Sequence, residues 1–222
     1  MPFPMTHLII ADNLSVIFSK HIKNLPQFYL GNIAPNSVHN RNNYISDYKK
    51  DSHLCVGDQK WGMITNNDEW KNNVINFLSN HKNSENYDFI VGYCCHILSD
   101  IYQNIALFIP FKQKYADEIE KGIFNLVIRE TNMIDIELAL THKKRSFYWL
   151  NIKQSTGVDL TDIIYASEIE KQKDNILNKW YKGKERQDLT ANKVVSIESI
   201  TEFIKEAVGF VVPVLQSLYY EK

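Results

Sequence analysis

A chain of 222 residues with 44% hydrophobic and 12% aromatic content carries enough apolar side chain for a sizeable core, which excludes a disordered or fibrous class. Lys and Arg number 25 against 26 Asp and Glu, so the formal net charge of -1 excludes the long-range pull toward nucleic acid or an anionic membrane that a strongly basic protein exerts. The cysteines, Cys55, Cys94 and Cys95, are odd in number and contain no C-x-x-C pair, which argues against a disulfide framework or zinc knuckle and for a reducing, cytoplasmic setting.

The opening MPFPMTHLIIADNLSVIF has no basic n-region or small-residue cleavage site and reads as no secretion signal. Within Thr6–Ile22 the spacing of Leu8, Ile9, Leu14, Val16 and Ile17 predicts a first helix with Thr6 as its N-cap. Asp68-Glu69-Trp70 opens another, its acidic residues at the positive end of the dipole and Val74, Phe77 and Leu78 on one face. Tyr87–Phe108 is the most apolar segment and is expected at the centre of the core. A long helix follows from Gln113 to Arg145, then a more exposed one over Ser167–Tyr181 closed by Gly183. Ser199-Ile-Thr-Glu202 reads as a capping box before a last helix, whose apolar run Ala207–Leu215 is too short to span a membrane. Alternating strand patterns are scarce, so the fold class is all-α, a single-domain multi-helix bundle over residues 1–222.

Asn32–Asn67 breaks the helical pattern. It is rich in Asn, Asp, Gly and Ser yet contains Trp61, Tyr44, Tyr48, His39 and His53, a content that disfavours disorder and predicts a long ordered loop with an internal anchor. A metal ion is one such anchor.

The central segment GYCCHILSDIYQN places His96 and Asp100 four residues apart, on one face of a helix. A hydrogen-bonded core pair and two metal ligands both fit that spacing. His7 at the first helix, His53 in the loop, and Glu130 and Asp135 in the stripe of the 113–145 helix widen the donor set, because imidazole and carboxylate are the ligands of hydrolytic zinc sites. His21, His81 and His142 stand in exposed-looking contexts and are set aside.

PMTHLIIAD, FYLGNIAPNSVH, DSHL and GYCCHILSDIY, in this order over residues 1–140, resemble the zinc-dependent phospholipase C family, with G-Y-x-x-H-x-x-x-D the best motif. The resemblance implies an all-α fold related to single-strand-specific zinc nucleases. It also implies His7, His53, His96 and Asp100 as metal ligands, with Asp100 bridging, and Glu130 as the late carboxylate, for which Asp135 is the substitute. Where the family has an aspartate that ligates zinc and is a candidate base, this chain has Asn36, and His39 or Glu130 is left to take the proton. The family's later histidines have no counterpart, Asn104 and Leu126 standing near those places, so one or two zinc ions are expected rather than three. The implied function is hydrolysis of a small phosphoester or phospholipid headgroup by metal-activated water. The alternative is a catalytically impaired metal-binding or structural relative.

Overall fold

The computed structural model describes residues 3–55, 57, 59, 64–119, 122–160 and 162–220. Among these the chain is all-helical, with one isolated bridge between Leu160 and Ile164. Trp61 lies outside the described residues. The buried apolar side chains form one contiguous core.

Helix α1 (Pro4–Ile17) starts before the expected Thr6 cap. Pro4 accounts for this: in the first turn its missing N–H has no intrahelical partner to lose, and its fixed φ suits a helix. Helix α2 (Leu25–Gly31), which no periodicity announces, is held at its start by side chains. Asn24 Oδ1 accepts from Gln27 N–H at 3.2 Å, and Asp88 Oδ2 accepts from the N–H groups of Lys23 and Asn24 at 2.9 and 2.5 Å.

The expected long loop is partly helical. It contains a 3-10 turn (Pro35–Asn40) and α3 (Ser46–Ser52) before α4 (Asn67–Asn80), which Asn66 caps through Glu69 N–H at 3.1 Å. Helix α5 (Tyr87–Gln103) is the central rod, buried at every residue from Phe89 to Ile101, and it continues as a π-helical segment (Asn104–Phe108). A helix buried all round is what its apolar density requires.

The expected helix over residues 113–145 is broken. It consists of α6 (Ile109–Lys114), α7 (Ala116–Ile119) and α8 (Ile123–Thr141), and Gly122 with φ of 87° sits before α8 in a left-handed conformation that helix continuity does not allow. Helix α9 (Arg145–Gln154) packs on α2. Helix α10 (Ala166–Asp174) runs into a second π-helical segment (Asn175–Trp180), and α11 (Ile197–Tyr220) lies on α1 and α5. The serine cap of α11 falls earlier than expected: Ser199 N–H donates to Ser196 Oγ and Ser196 N–H to Ser199 Oγ, both at 3.1 Å. No helix among the described residues is long and apolar enough to cross a membrane.

The closest helix crossing decides where the functional groups fall. A Cβ added at Gly31 would lie 2.1 Å from Phe89 O, and one at Gly92 would lie 2.1 Å from Phe28 O. The two glycines thus let the backbones of α2 and α5 touch, which delivers the Asn32 carbonyl to the His96 side chain.

Candidate metal centre

Side chains from three elements meet around Asp100. His7 projects from α1, His96 and Asp100 from successive turns of α5, and His53 from the C-terminal end of α3. All four are buried, at 1%, 1%, 6% and 0% relative exposure in that order. His7 and His96 stack with ring centroids 3.6 Å apart, and His53 meets His96 edge-on at 5.4 Å.

The hydrogen bonds on the far side of each ring settle its tautomer. His96 Nδ1 faces the Asn32 carbonyl at 2.7 Å and His53 Nδ1 faces the Lys49 carbonyl at 2.9 Å. A carbonyl oxygen has no proton, so each Nδ1 must donate. His7 Nδ1 lies 3.2 Å from Ser99 Oγ, whose own proton goes to His96 O at 2.7 Å, so this Nδ1 donates too. Burial holds all three imidazoles below their ordinary pKa. His96 lowers His7 further and the Lys49 charge lowers His53 further, while Asp100 partly offsets burial at His96. Each ring is therefore neutral at pH 7 and presents an Nε2 lone pair.

Those lone pairs face a carboxylate. His7 Nε2 is 3.6 Å from Asp100 Oδ1, and His53 and His96 Nε2 are 3.5 and 3.8 Å from Oδ2. These separations exceed N–H···O bonding distance. His7 Nε2 and Asp100 Oδ1 have no hydrogen-bond partner among the described residues. Acceptors facing acceptors in a buried site repel one another, and a cation between them reverses the sign. The spacing suits one: donors at 2.0 to 2.2 Å around a tetrahedral ion stand roughly 3.3 to 3.6 Å apart. The ligand atoms of His7, His96 and Asp100 all fall within 4.8 Å of one another, and this buried group could hold a metal ion. Backbone and hydroxyl acceptors behind the rings orient them as an outer shell does around metals.

A cleft of about 350 Å³ opens onto Asp100. Asn36 and His39 of the 3-10 turn line it, and the Asn36 amide nitrogen lies 3.3 Å from His96 Nε2 as a donor to that lone pair. The opposite wall comes from the C-terminal part of the chain: Gln172 of α10, with Asn175 and Trp180 of the second π-helical segment. Arg41 ties the two walls together, bonding Glu168 through Nε at 2.6 Å and Nη2 at 3.1 Å while its guanidinium stacks near Tyr48 and Tyr165.

The sequence pattern does not single out Lys49, Asn32 or Ser99. Ser99 sits one turn after His96 and Lys49 one turn before His53, so helical spacing from a suspected ligand was the available signal.

Glu130 is not in the centre, contrary to its expected roles as ligand and base. Its carboxylate accepts the backbone N–H groups of Lys193, Val194 and Val195 at 2.8, 2.9 and 2.9 Å. Burial opposes its ionisation, yet these three donors outweigh it and hold the carboxyl below its ordinary pKa. Its task is to anchor the loop before α11. Glu130→Ala is expected to lower stability by about 1–3 kcal/mol through unsatisfied donors while metal content stays at the wild-type value, checked by denaturant melts and elemental analysis.

The substitute, Asp135, is also elsewhere. It accepts from Met5 N–H at 2.9 Å and Tyr181 Oη at 2.6 Å, and burial raises its pKa to about 7. It pins the start of α1, two residues before His7. Asn104 donates to Ile64 O and Asn67 Oδ1 at 2.9 and 2.7 Å, joining α5 to the segment before α4.

No protein-family model matches this chain, and neither a curated protein nor a solved structure is significantly similar to it, so the geometry of the His7, His53, His96 and Asp100 cluster carries the functional argument.

Proposed function

We propose that this protein is a metal-dependent phosphoester hydrolase, with zinc at the His7, His53, His96 and Asp100 centre, related to the zinc-dependent phospholipases C. The observation that carries the proposal is the convergence of three lone-pair nitrogens on one buried carboxylate. Neutral imidazole and carboxylate form a donor set suited to zinc, and the bound ion would supply an activated water and positive charge for a phosphate. Asp100 offers Oδ1 toward His7 and Oδ2 toward His53 and His96, so this carboxylate would serve one ion or two at the centre. A third is disfavoured, since Glu130, Asp135 and Asn104 are engaged elsewhere.

The chain's own groups would divide the remaining work. The cleft would admit a small phosphoester or a phospholipid headgroup, with Asn36 orienting an oxygen beside His96. His39, which lines the cleft, would accept the proton, since an amide cannot take that role. Partial desolvation, then the Lys49 charge, lowers its pKa to about 4, so it is unprotonated at neutral pH.

The same Asn36 favours a second reading, a metal-binding relative with impaired turnover, because a positioned base contributes about 10² to 10⁴ in rate. The test is elemental analysis of the purified chain, then hydrolysis of p-nitrophenyl phosphate and bis(p-nitrophenyl) phosphate before and after chelation. Zinc with chelator-sensitive turnover supports the hydrolase, zinc without turnover the impaired relative, and no zinc removes both. Asn36→Asp should tighten zinc roughly tenfold or more by adding a charged ligand. It should also lower the melting temperature of the metal-free protein, where a second carboxylate meets Asp100. Equal affinity in a chelator competition would remove Asn36 from the centre.

A further inference from the structure

Within the phosphoester hydrolase proposed above, on which this step rests, we infer that Gln172 is a substrate-binding donor and that the cleft takes a phosphoester with a neutral, hydroxylated leaving group, a polyol or a sugar. Gln172 lies on α10, is 5% exposed and lines the cleft that opens onto Asp100. Its amide is oriented by its neighbours. Asn40 Nδ2 donates to the Glu168 carbonyl at 3.3 Å and to the Gln172 side chain at 3.2 Å. A carbonyl only accepts, so this Asn40 atom is the nitrogen and the Gln172 atom beside it is Oε1. The far end of the relay agrees: the Lys179 ammonium donates to Asn175 Oδ1 at 3.5 Å, and Asn175 Nδ2 donates to Asn40 Oδ1 at 3.1 Å.

Asn40 and Asn175 are thereby engaged through both amide atoms. Gln172 is engaged through Oε1 alone, and its Nε2 has no partner among the described residues. Donors on so buried a residue are normally satisfied, and an oxygen held in the cleft is the acceptor left to this one. The wall decides the kind of oxygen. Where Gln172 and Trp180 stand, opposite Asn36 and His39, amides and an indole take the place of the arginine or lysine that an anionic oxygen favours. An uncharged hydroxyl suits such a wall. The Trp180 ring by itself would also attract a quaternary ammonium. Amide N–H groups repel a cation, however, and Asp100, the carboxylate among the described lining residues, turns its oxygens to the imidazoles.

The test compares three phosphonates that resist hydrolysis: 2,3-dihydroxypropylphosphonate, propylphosphonate, which lacks only the two hydroxyls, and 2-(trimethylammonio)ethylphosphonate. Their binding to zinc-loaded wild type and Gln172→Met is measured by calorimetry, with the zinc content of each protein. The wild type is expected to bind the diol about 10-fold more tightly than propylphosphonate, and the cationic compound no more tightly than propylphosphonate. Gln172→Met should keep its zinc and its affinity for propylphosphonate and lose the preference for the diol. Gln172→Glu retains an oxygen for Asn40 but replaces the donor with a negative charge. It should lose the same preference and favour the cationic phosphonate, and it carries the comparison if Gln172→Met does not fold. A zinc-loaded wild type that binds the diol and propylphosphonate alike overturns the hydroxylated leaving group. A diol preference that survives in a zinc-loaded variant overturns the role of Gln172, as does an equal loss for all three compounds or loss of zinc from both variants. A wild type without zinc overturns the hydrolase reading itself.

Discussion

Asp100→Asn is expected to lower zinc affinity by more than roughly 100-fold, a larger loss than outer-shell changes give, because this carboxylate is the one negative charge that all three Nε2 atoms face. The size of the effect can be read thermally. Zinc held at 100 times its dissociation constant stabilises the wild type by about 2.7 kcal/mol, or roughly 5–10 °C in a domain of this size. Chelation should remove that increment from the wild type and nothing from the variant. A variant that keeps wild-type zinc content would show that the cluster does not bind metal through Asp100.

Gly92→Ala is expected to destabilise the fold by about 3 kcal/mol or more and to weaken zinc binding with it. In isolation the change should help, since alanine is the better helix former by about 1 kcal/mol. The crossing decides the sign. The new Cβ would meet Phe28 O at 2.1 Å, and that oxygen belongs to the backbone of α2, which cannot swing aside as a side chain does. Helix α2 must retreat, and it carries the Asn32 carbonyl that holds His96 Nδ1 at 2.7 Å. Gly31→Ala meets Phe89 O at the same distance and should behave alike. Thermal melts with and without zinc check both effects. A variant as stable as wild type would mean that the two helices can part without cost.

The helix boundaries differ from their sequence signals where local chemistry has equal alternatives. Ser196 and Ser199 are both competent caps, and the helix starts at the earlier one. The run from Gln113 to Arg145 has helical periodicity throughout, yet one left-handed glycine, Gly122, divides it. Helix α2 has local start signals in its cap Asn24 and in Pro26 but, at seven residues, is too short to show a periodicity, and its lead-in at Lys23 and Asn24 is held by Asp88, more than sixty residues away along the chain.

The all-α class, the buried central helix and the placing of His96 and Asp100 on one face of it follow from the sequence alone, because apolar periodicity and i,i+4 spacing are local properties, whereas His7 and His53 are expected beside them only through the family resemblance. Tertiary structure decided the rest: that Glu130 and Asp135 satisfy backbone and tyrosine donors, that Lys49 joins the cleft, and that residues 172–180 wall it. A carboxylate or an ammonium has the same local signature whatever it faces, and its partner is set only when helices distant in sequence pack against each other.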